Sequence, residues 1–222
     1  MRRIAAVLVF IAMAVGIAAA DPYPVVNLKI ERFDGPSAGG ANSGYGVYVY
    51  PYYFSVDGSQ YPDLLALLCD SYDNEVWKNE TWQAHVIPIT AFFAGTNGDK
   101  YKEAAWLMSN MGIHPSPADA VAYNFAIWGL FSTNALNSAG YASSGAGNAI
   151  SDAGPIPMGF DFSGYSVYVP IAGTQMLNGN RVSQTPQEYI GYSRPIPEPA
   201  SLAVLGTGLF TVCGFIRRRI IK

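Results

Sequence analysis

The chain has 222 residues, of which 50% are hydrophobic, 14% aromatic and only 13% charged. This composition is too apolar for a disordered chain and too poor in charge for an ordinary cytosolic enzyme. The two cysteines exclude a scaffold built on many disulfides and a zinc site with several cysteine ligands. A net charge of −3 argues against a nucleic-acid-binding protein, which needs a basic face.

Residues 1–20 have the three parts of a secretory signal peptide. Arg2 and Arg3 are positive, an apolar run follows, and small residues end the run at Ala20. This order predicts export of the chain and cleavage between Ala20 and Asp21. The alternative is an uncleaved N-terminal anchor, which needs a longer apolar run than this one.

Residues 21–194 are numerous enough to form one exported domain with its own core. Runs rich in β-branched, aromatic or aliphatic residues predict strands at 25–33, 46–56 and 64–70, and the last run has a helix as its alternative. The segment 34–46 is rich in Gly, Ser and Asn and is predicted to be a loop.

The hydrophobic period becomes helical in the second half of the domain. Apolar residues at helical spacing predict a helix over 99–111, which Gly112 can end. Ser116 is followed by Pro117 and by an acid three residues after the serine, so it predicts the start of a second helix.

The rest of the domain predicts a loop and two late strands. The segment 138–154 is rich in Ala, Gly and Ser and is predicted to be a mobile loop, and strands are expected at 165–170 and 188–192. Strands on both sides of a two-helix insertion predict an α+β domain built on an antiparallel β-sheet or sandwich. We expect an N-terminal signal helix and a C-terminal transmembrane helix to flank this domain.

The C-terminal segment 195–222 combines three features in a fixed order. A Pro-Glu-Pro sequence comes first, and 17 uncharged residues at 200–216 then predict a short transmembrane helix, with a buried core helix as the alternative. A cluster of arginines in 217–222 predicts a cytoplasmic end and places the domain outside the cell membrane. The sorting and membrane-stop residues are Pro197, Glu198, Pro199, Arg217, Arg218 and Arg219.

This order of features resembles the PEP-CTERM sorting signal of Gram-negative bacteria, which is also called the ice-binding protein C-terminal domain without implying ice binding. The resemblance covers 195–222 and implies recognition by an exosortase, a transpeptidase-like membrane enzyme. It implies an inner-membrane-anchored precursor with a periplasmic domain. Cleavage near Pro199 would release the domain or attach it to the cell surface, the extracellular matrix or its exopolysaccharide.

The domain offers few candidates for catalysis. Gly35–Gly39 matches G-x-S-x-G, but the glycine-rich residues after it favour a loop over a nucleophile elbow. His85 and His114 match no metal-ligand spacing. An acidic cluster without EF-hand spacing is predicted to be a solvated hairpin, and it comprises Asp70, Asp73 and Glu75. The sequence therefore predicts a non-enzymatic protein without a metal or cofactor.

Cys69 is the cysteine that lies outside both predicted terminal segments. Together with three later segments, it resembles in order the thioester domains of bacterial surface adhesins and a family of exported proteins of unknown function. In those domains a cysteine sulfur bonds the side-chain carbonyl of a glutamine four residues before a tryptophan. Here the shorter Asn124 stands four residues before Trp128. The segments are Leu68–Asp70, Thr81–Ala84, Tyr101–Leu107 and Ala126–Trp128.

Three functions follow from these patterns. The first is a non-enzymatic, exported surface or matrix protein that an exosortase-type system sorts. The second is a covalent adhesin that uses Cys69, for which Cys69 and Asn124 are expected to be neighbours; otherwise Cys69 is a buried, inert thiol. The third is a hydrolase of surface polysaccharide, which needs two carboxylates in a cleft.

Overall fold

The computed structural model describes residues 23–33, 47–58, 64–112 and 114–192. The predicted signal peptide, its cleavage site, the loop 34–46, the sorting motif and the transmembrane helix lie outside these residues. Among the helices of the described ranges, none is long and apolar enough to cross a membrane.

The described residues form an α+β domain, as predicted, with all paired strands antiparallel. Six strands lie in the order β1-β2-β3-β8-β5-β4, and β4 pairs again with β1. The sheet is therefore a closed cylinder and not an open sheet or sandwich, with the short pair β6-β7 attached beside β4. The strands are β1 (Val25–Phe33), β2 (Tyr52–Val56), β3 (Leu65–Cys69), β4 (Thr81–Pro88), β5 (Tyr165–Pro170), β6 (Met176–Leu177), β7 (Asn180–Arg181) and β8 (Tyr189–Tyr192).

Alternate residues of the strands fill the inside of the cylinder, because side chains of a strand point to its two faces in turn. Leu28 and Ile30 of β1 are fully buried there with Trp82 of β4. The Phe54 ring meets Tyr189 edge-on with 4.8 Å between ring centroids. Burial of each such side chain contributes roughly 1.5–3 kcal/mol, so this interior fixes the strand register.

The helices form one insertion between β4 and β5, preceded by a 3-10 turn at Ile89–Phe92. They cover the outer face of the cylinder, where Leu68, Val167 and Ile190 pack against helical side chains. The helices are α1 (Gly98–Met111), α2 (Pro117–Phe131), α3 (Thr133–Leu136), α4 (Ala139–Ser143) and α5 (Ala146–Ala153).

The start of α2 follows the predicted capping pattern. Ser116 Oγ accepts a hydrogen bond from the Asp119 backbone N–H at 3.2 Å and donates one to Asp119 Oδ2 at 2.6 Å. Serine thus satisfies a free N–H at the helix start, and Pro117 occupies the first helical position. This cap fixes where the helix begins and so which residues of α2 face the sheet.

The predicted two-helix insertion and the predicted loop at 138–154 are wrong. That segment contains α4 and α5. Ser138 caps α4, because its Oγ accepts a hydrogen bond from the Tyr141 N–H at 3.0 Å. Small residues are used here for close packing, because a Cβ on Gly140 would lie 2.5 Å from the Phe125 ring. Composition alone could not separate a tightly packed helix from a loop.

Two strand predictions also change. The run at 46–56 becomes a strand only from Tyr52. β4 was not predicted, although Trp82, Ala84 and Val86 are buried in alternation with less buried neighbours. The strands predicted at 25–33, 64–70, 165–170 and 188–192 and the two predicted helices are confirmed.

Candidate functional site

Cys69 ends β3 and points into the cylinder. Leu65, Leu67 and Cys69 are alternate residues of the strand, so they share its inner face, and Cys69 is fully buried as a free thiol. In the register of β3 with β8, Cys69 lies opposite Tyr189. Gln187 comes two residues before Tyr189, so the pairing brings its side chain to the same face as the sulfur.

The side-chain amide of Gln187 is held beside the Cys69 sulfur. The thiol of Cys69 donates to Gln187 Oε1 at 3.1 Å, and Tyr189 Oη donates to the same oxygen at 2.9 Å. Gln187 Nε2 donates to the Asn74 carbonyl oxygen. Both polar atoms of the Gln187 amide are therefore fixed, and the residue is only 7% exposed.

Electrostatics keep this site neutral. Burial raises the pKa of the Cys69 thiol far above its ordinary value, and the nearby Asp70 carboxyl raises it further. Burial likewise raises the pKa of Tyr189 well above its ordinary value. The thiol and the phenol therefore keep their protons and act as hydrogen-bond donors to Gln187.

The side chain of Asn124 forms its hydrogen bonds with the backbone of the site and not with the Cys69 sulfur. Its Nδ2 donates to the Cys69 carbonyl oxygen at 3.2 Å, and its Oδ1 accepts from the Tyr50 N–H at 2.7 Å. Asn124 is fully buried in α2. The structure thus places Asn124 next to Cys69, as expected, but it places Gln187 in the position next to the thiol.

Gln187 was missed because no local pattern marks it. The chain has five glutamines, and Gln187 lies 118 residues from Cys69. Its proximity follows only from the pairing of β3 with β8. The sequence contained one signal: Gln187 lies two residues before Tyr189, which was predicted to be in a strand. This position identifies a partner of Cys69 only once the strand order is known.

The residues after Cys69 and Gln187 form a carboxyl pair. Asp70 is 2% exposed, and it lines the same small cavity as Glu188. Burial and then the Glu188 carboxyl raise the pKa of Asp70 well above its ordinary value. Tyr101 Oη donates to Glu188 Oε1 at 2.7 Å. Asp70 is therefore not part of a solvated hairpin, unlike the exposed Asp73 and Glu75.

A groove with a volume of about 410 Å³ leads to Gln187. Its aromatic lining residues are Tyr48, Tyr52, Tyr72, Trp77 and Trp128, and we call it the aromatic groove. A second cavity of about 200 Å³ is lined by Asp70, Asp73 and Glu188. The two spaces share Ser71, Tyr72 and Asn74 in their walls, and Gln187 lines the aromatic groove.

The histidines do not contribute to this site. His85 lies in β4 opposite Val25, and His114 is exposed before α2. Within the described ranges, no group of three His, Cys, Asp or Glu side chains is arranged to hold a metal ion. Gly35–Gly39 lies outside the described residues.

Comparison with known proteins bears on the C-terminal segment. No curated protein and no solved structure matches the chain. Residues 195–219 match the family model of the PEP-CTERM protein-sorting motif. The chain therefore carries a sorting motif that indicates export, membrane processing and recognition by an exosortase.

Proposed function

We propose that the exported domain is a non-enzymatic surface domain that attaches itself covalently through an internal thioester between Cys69 and Gln187. One observation carries this proposal: the Cys69 thiol lies 3.1 Å from Gln187 Oε1 in a buried site. The sorting motif supplies the route to the surface. The weak resemblance to thioester adhesins supports the same chemistry, with Gln187 as the acyl residue in place of Asn124.

Each hydrogen bond of the Gln187 amide has a part in thioester formation. The Cys69 sulfur attacks the carbonyl carbon, and Tyr189 Oη donates to the oxygen on which negative charge develops. The thiol proton passes to the amide nitrogen, which the Asn74 carbonyl orients. The carbon–nitrogen bond then breaks, ammonia leaves, and a carbon–sulfur bond remains.

The thioester would react once with a primary amine. The amine nitrogen bonds to the Gln187 carbonyl carbon, the carbon–sulfur bond breaks, and a proton moves from nitrogen to sulfur. The raised pKa of the Cys69 thiol favours the neutral product. The domain would thus become amide-linked to its partner without turning over, which fits a surface protein and not an enzyme.

No observation favours the polysaccharide hydrolase. Glycoside hydrolysis uses two carboxyl groups separated by roughly 5–9.5 Å, with the sugar bond between them. In the candidate pair, Asp70 is buried and Glu188 already accepts a hydrogen bond from Tyr101.

Methylamine labelling tests the thioester. We expect the native chain to take up one methylamine on the peptide that contains Gln187, and Cys69 to become accessible to alkylation at the same time. Cys69→Ala and Gln187→Ala should abolish uptake. Gln83→Ala, on the outer face of β4, is the matched control and should retain it. Uptake that persists in Cys69→Ala would contradict the proposal.

A further inference from the structure

The walls of the aromatic groove combine ring faces with hydrogen-bonding groups. Tyr48 is 46% exposed, although one face of its ring stacks on Phe33, and Trp77 is 37% exposed, so both rings are partly uncovered at this surface. The polar part of the lining comes from Ser71, Asn74, Glu75 and Gln187. The volume of about 410 Å³ falls within the range of roughly 300–1,000 Å³ typical of small-ligand sites.

This lining suits a sugar ring. A pyranose has an apolar C–H face that an aromatic ring can cover and hydroxyl groups that need polar partners at its edge. An unbranched side chain such as lysine has no face of this kind to place against Tyr48 and Trp77. The shape and chemistry of the groove therefore favour a carbohydrate over a peptide.

The charge of the site selects the kind of sugar. Glu75 lies in the groove, and the adjoining cavity adds the carboxyl groups of Asp73 and Glu188. No lysine or arginine lines either space within the described residues. Such a surface attracts cations, so a sugar with a primary ammonium group is complementary to it.

We propose that the aromatic groove binds an amino sugar unit of a polysaccharide and presents its amine to Gln187. This inference rests on the proposed function, because the amine is then the group that opens the thioester. The ammonium group first releases one proton to water. Its nitrogen then bonds to the Gln187 carbonyl carbon, the carbon–sulfur bond breaks, and a second proton moves to Cys69 Sγ.

Binding can be measured apart from the covalent step. In the full chain with Cys69→Ala no thioester can form, while the groove is unchanged. We expect a glucosamine tetramer to bind this variant and to quench tryptophan fluorescence, since Trp77 and Trp128 line the groove. The N-acetylglucosamine tetramer lacks the charge and should bind roughly tenfold more weakly, a difference of about 1.4 kcal/mol.

Substitution of one ring tests the site itself. In the Cys69→Ala background, Trp77→Ala should weaken glucosamine binding roughly tenfold through loss of ring contact. Met158→Ala, which changes a fully exposed residue outside the groove, should leave binding unchanged. Isothermal titration calorimetry measures both affinities, and circular dichroism checks that both variants are folded.

The outcomes separate the two proposals. No binding of the glucosamine tetramer, equal binding of a tetralysine peptide, or unchanged binding in Trp77→Ala would overturn the amino sugar site. Binding to Cys69→Ala without any adduct on the native chain would overturn the thioester and leave a non-covalent sugar site. A glucosamine adduct on the Gln187 peptide of the native chain would support both proposals if Trp77→Ala loses this adduct but still forms the methylamine adduct.

Discussion

Two acidic residues follow the two residues of the proposed thioester, and the carboxyl pair they form has a consequence for stability. Asp70 follows Cys69 and is buried, whereas Glu188 follows Gln187, is half-buried and accepts a hydrogen bond from Tyr101 of α1. Burial and Glu188 raise the pKa of Asp70 in the folded chain. The folded state therefore binds a proton that the unfolded state releases, and stability falls as pH rises above the ordinary range of an aspartate.

Asp70→Asn should remove the loss of folding stability that the native chain shows as pH rises. We expect the variant to be more stable than the native chain at about pH 8, with no such gain at about pH 3, where aspartate is largely protonated in both states. Urea denaturation at both pH values measures the difference. Asp99→Asn is the control with the opposite sign, because the Lys102 hydrogen bond lowers the pKa of the exposed Asp99. A gain in Asp70→Asn that is equal at both pH values would contradict the raised pKa of Asp70.

Asn124 illustrates what residue spacing can and cannot predict. The spacing to Trp128 correctly directed attention to a residue beside Cys69, since α2 carries both Asn124 and Trp128 over the end of β3. The same spacing predicted the wrong partner for the sulfur, because the Asn124 amide bonds to the backbone of β3 and not to the Cys69 thiol. The partner of the thiol comes from β8, which no spacing within α2 could indicate.

At the scale of elements, prediction succeeded where hydrophobic period and capping chemistry agreed. α1 and α2 have helical spacing and, in α2, a serine cap with an acid after it. α4 and α5 were missed because their residues are small, and small residues are typical of both loops and closely packed helices. The close approach of Gly140 to the Phe125 ring shows that this segment is a closely packed helix and not a loop. This is a tertiary contact, so local sequence could not indicate it.

Gly140→Ala tests this packing. The added methyl group would meet the Phe125 ring at 2.5 Å, so we expect a loss of about 1–3 kcal/mol in the free energy of unfolding. Gly147→Ala in α5 is the matched control. Its methyl group meets nothing within 4 Å, and it should be neutral or stabilise by about 0.5–1 kcal/mol. Equal effects of the two changes, measured by chemical denaturation, would contradict close packing of α4 on α2.

At the scale of the whole molecule, strand order creates the candidate site. The strands next to each other along the chain could be predicted in part, but the pairing of β3 with β8 joins segments separated by the whole helical insertion. That pairing places Cys69, Gln187 and Tyr189 on one face and Asp70 and Glu188 on the other. The sequence indicated the sorting motif directly, because its features are local and consecutive, whereas the site depends on topology.

If the proposed function is correct, export by the sorting motif delivers a domain with an internal thioester. The most direct measurement is the intact mass of the processed protein isolated from its own host, before and after treatment with a thiol-alkylating reagent under denaturing conditions. We expect a mass that is short by one ammonia, with no alkylation at Cys69. A full mass with an alkylated Cys69 would contradict it.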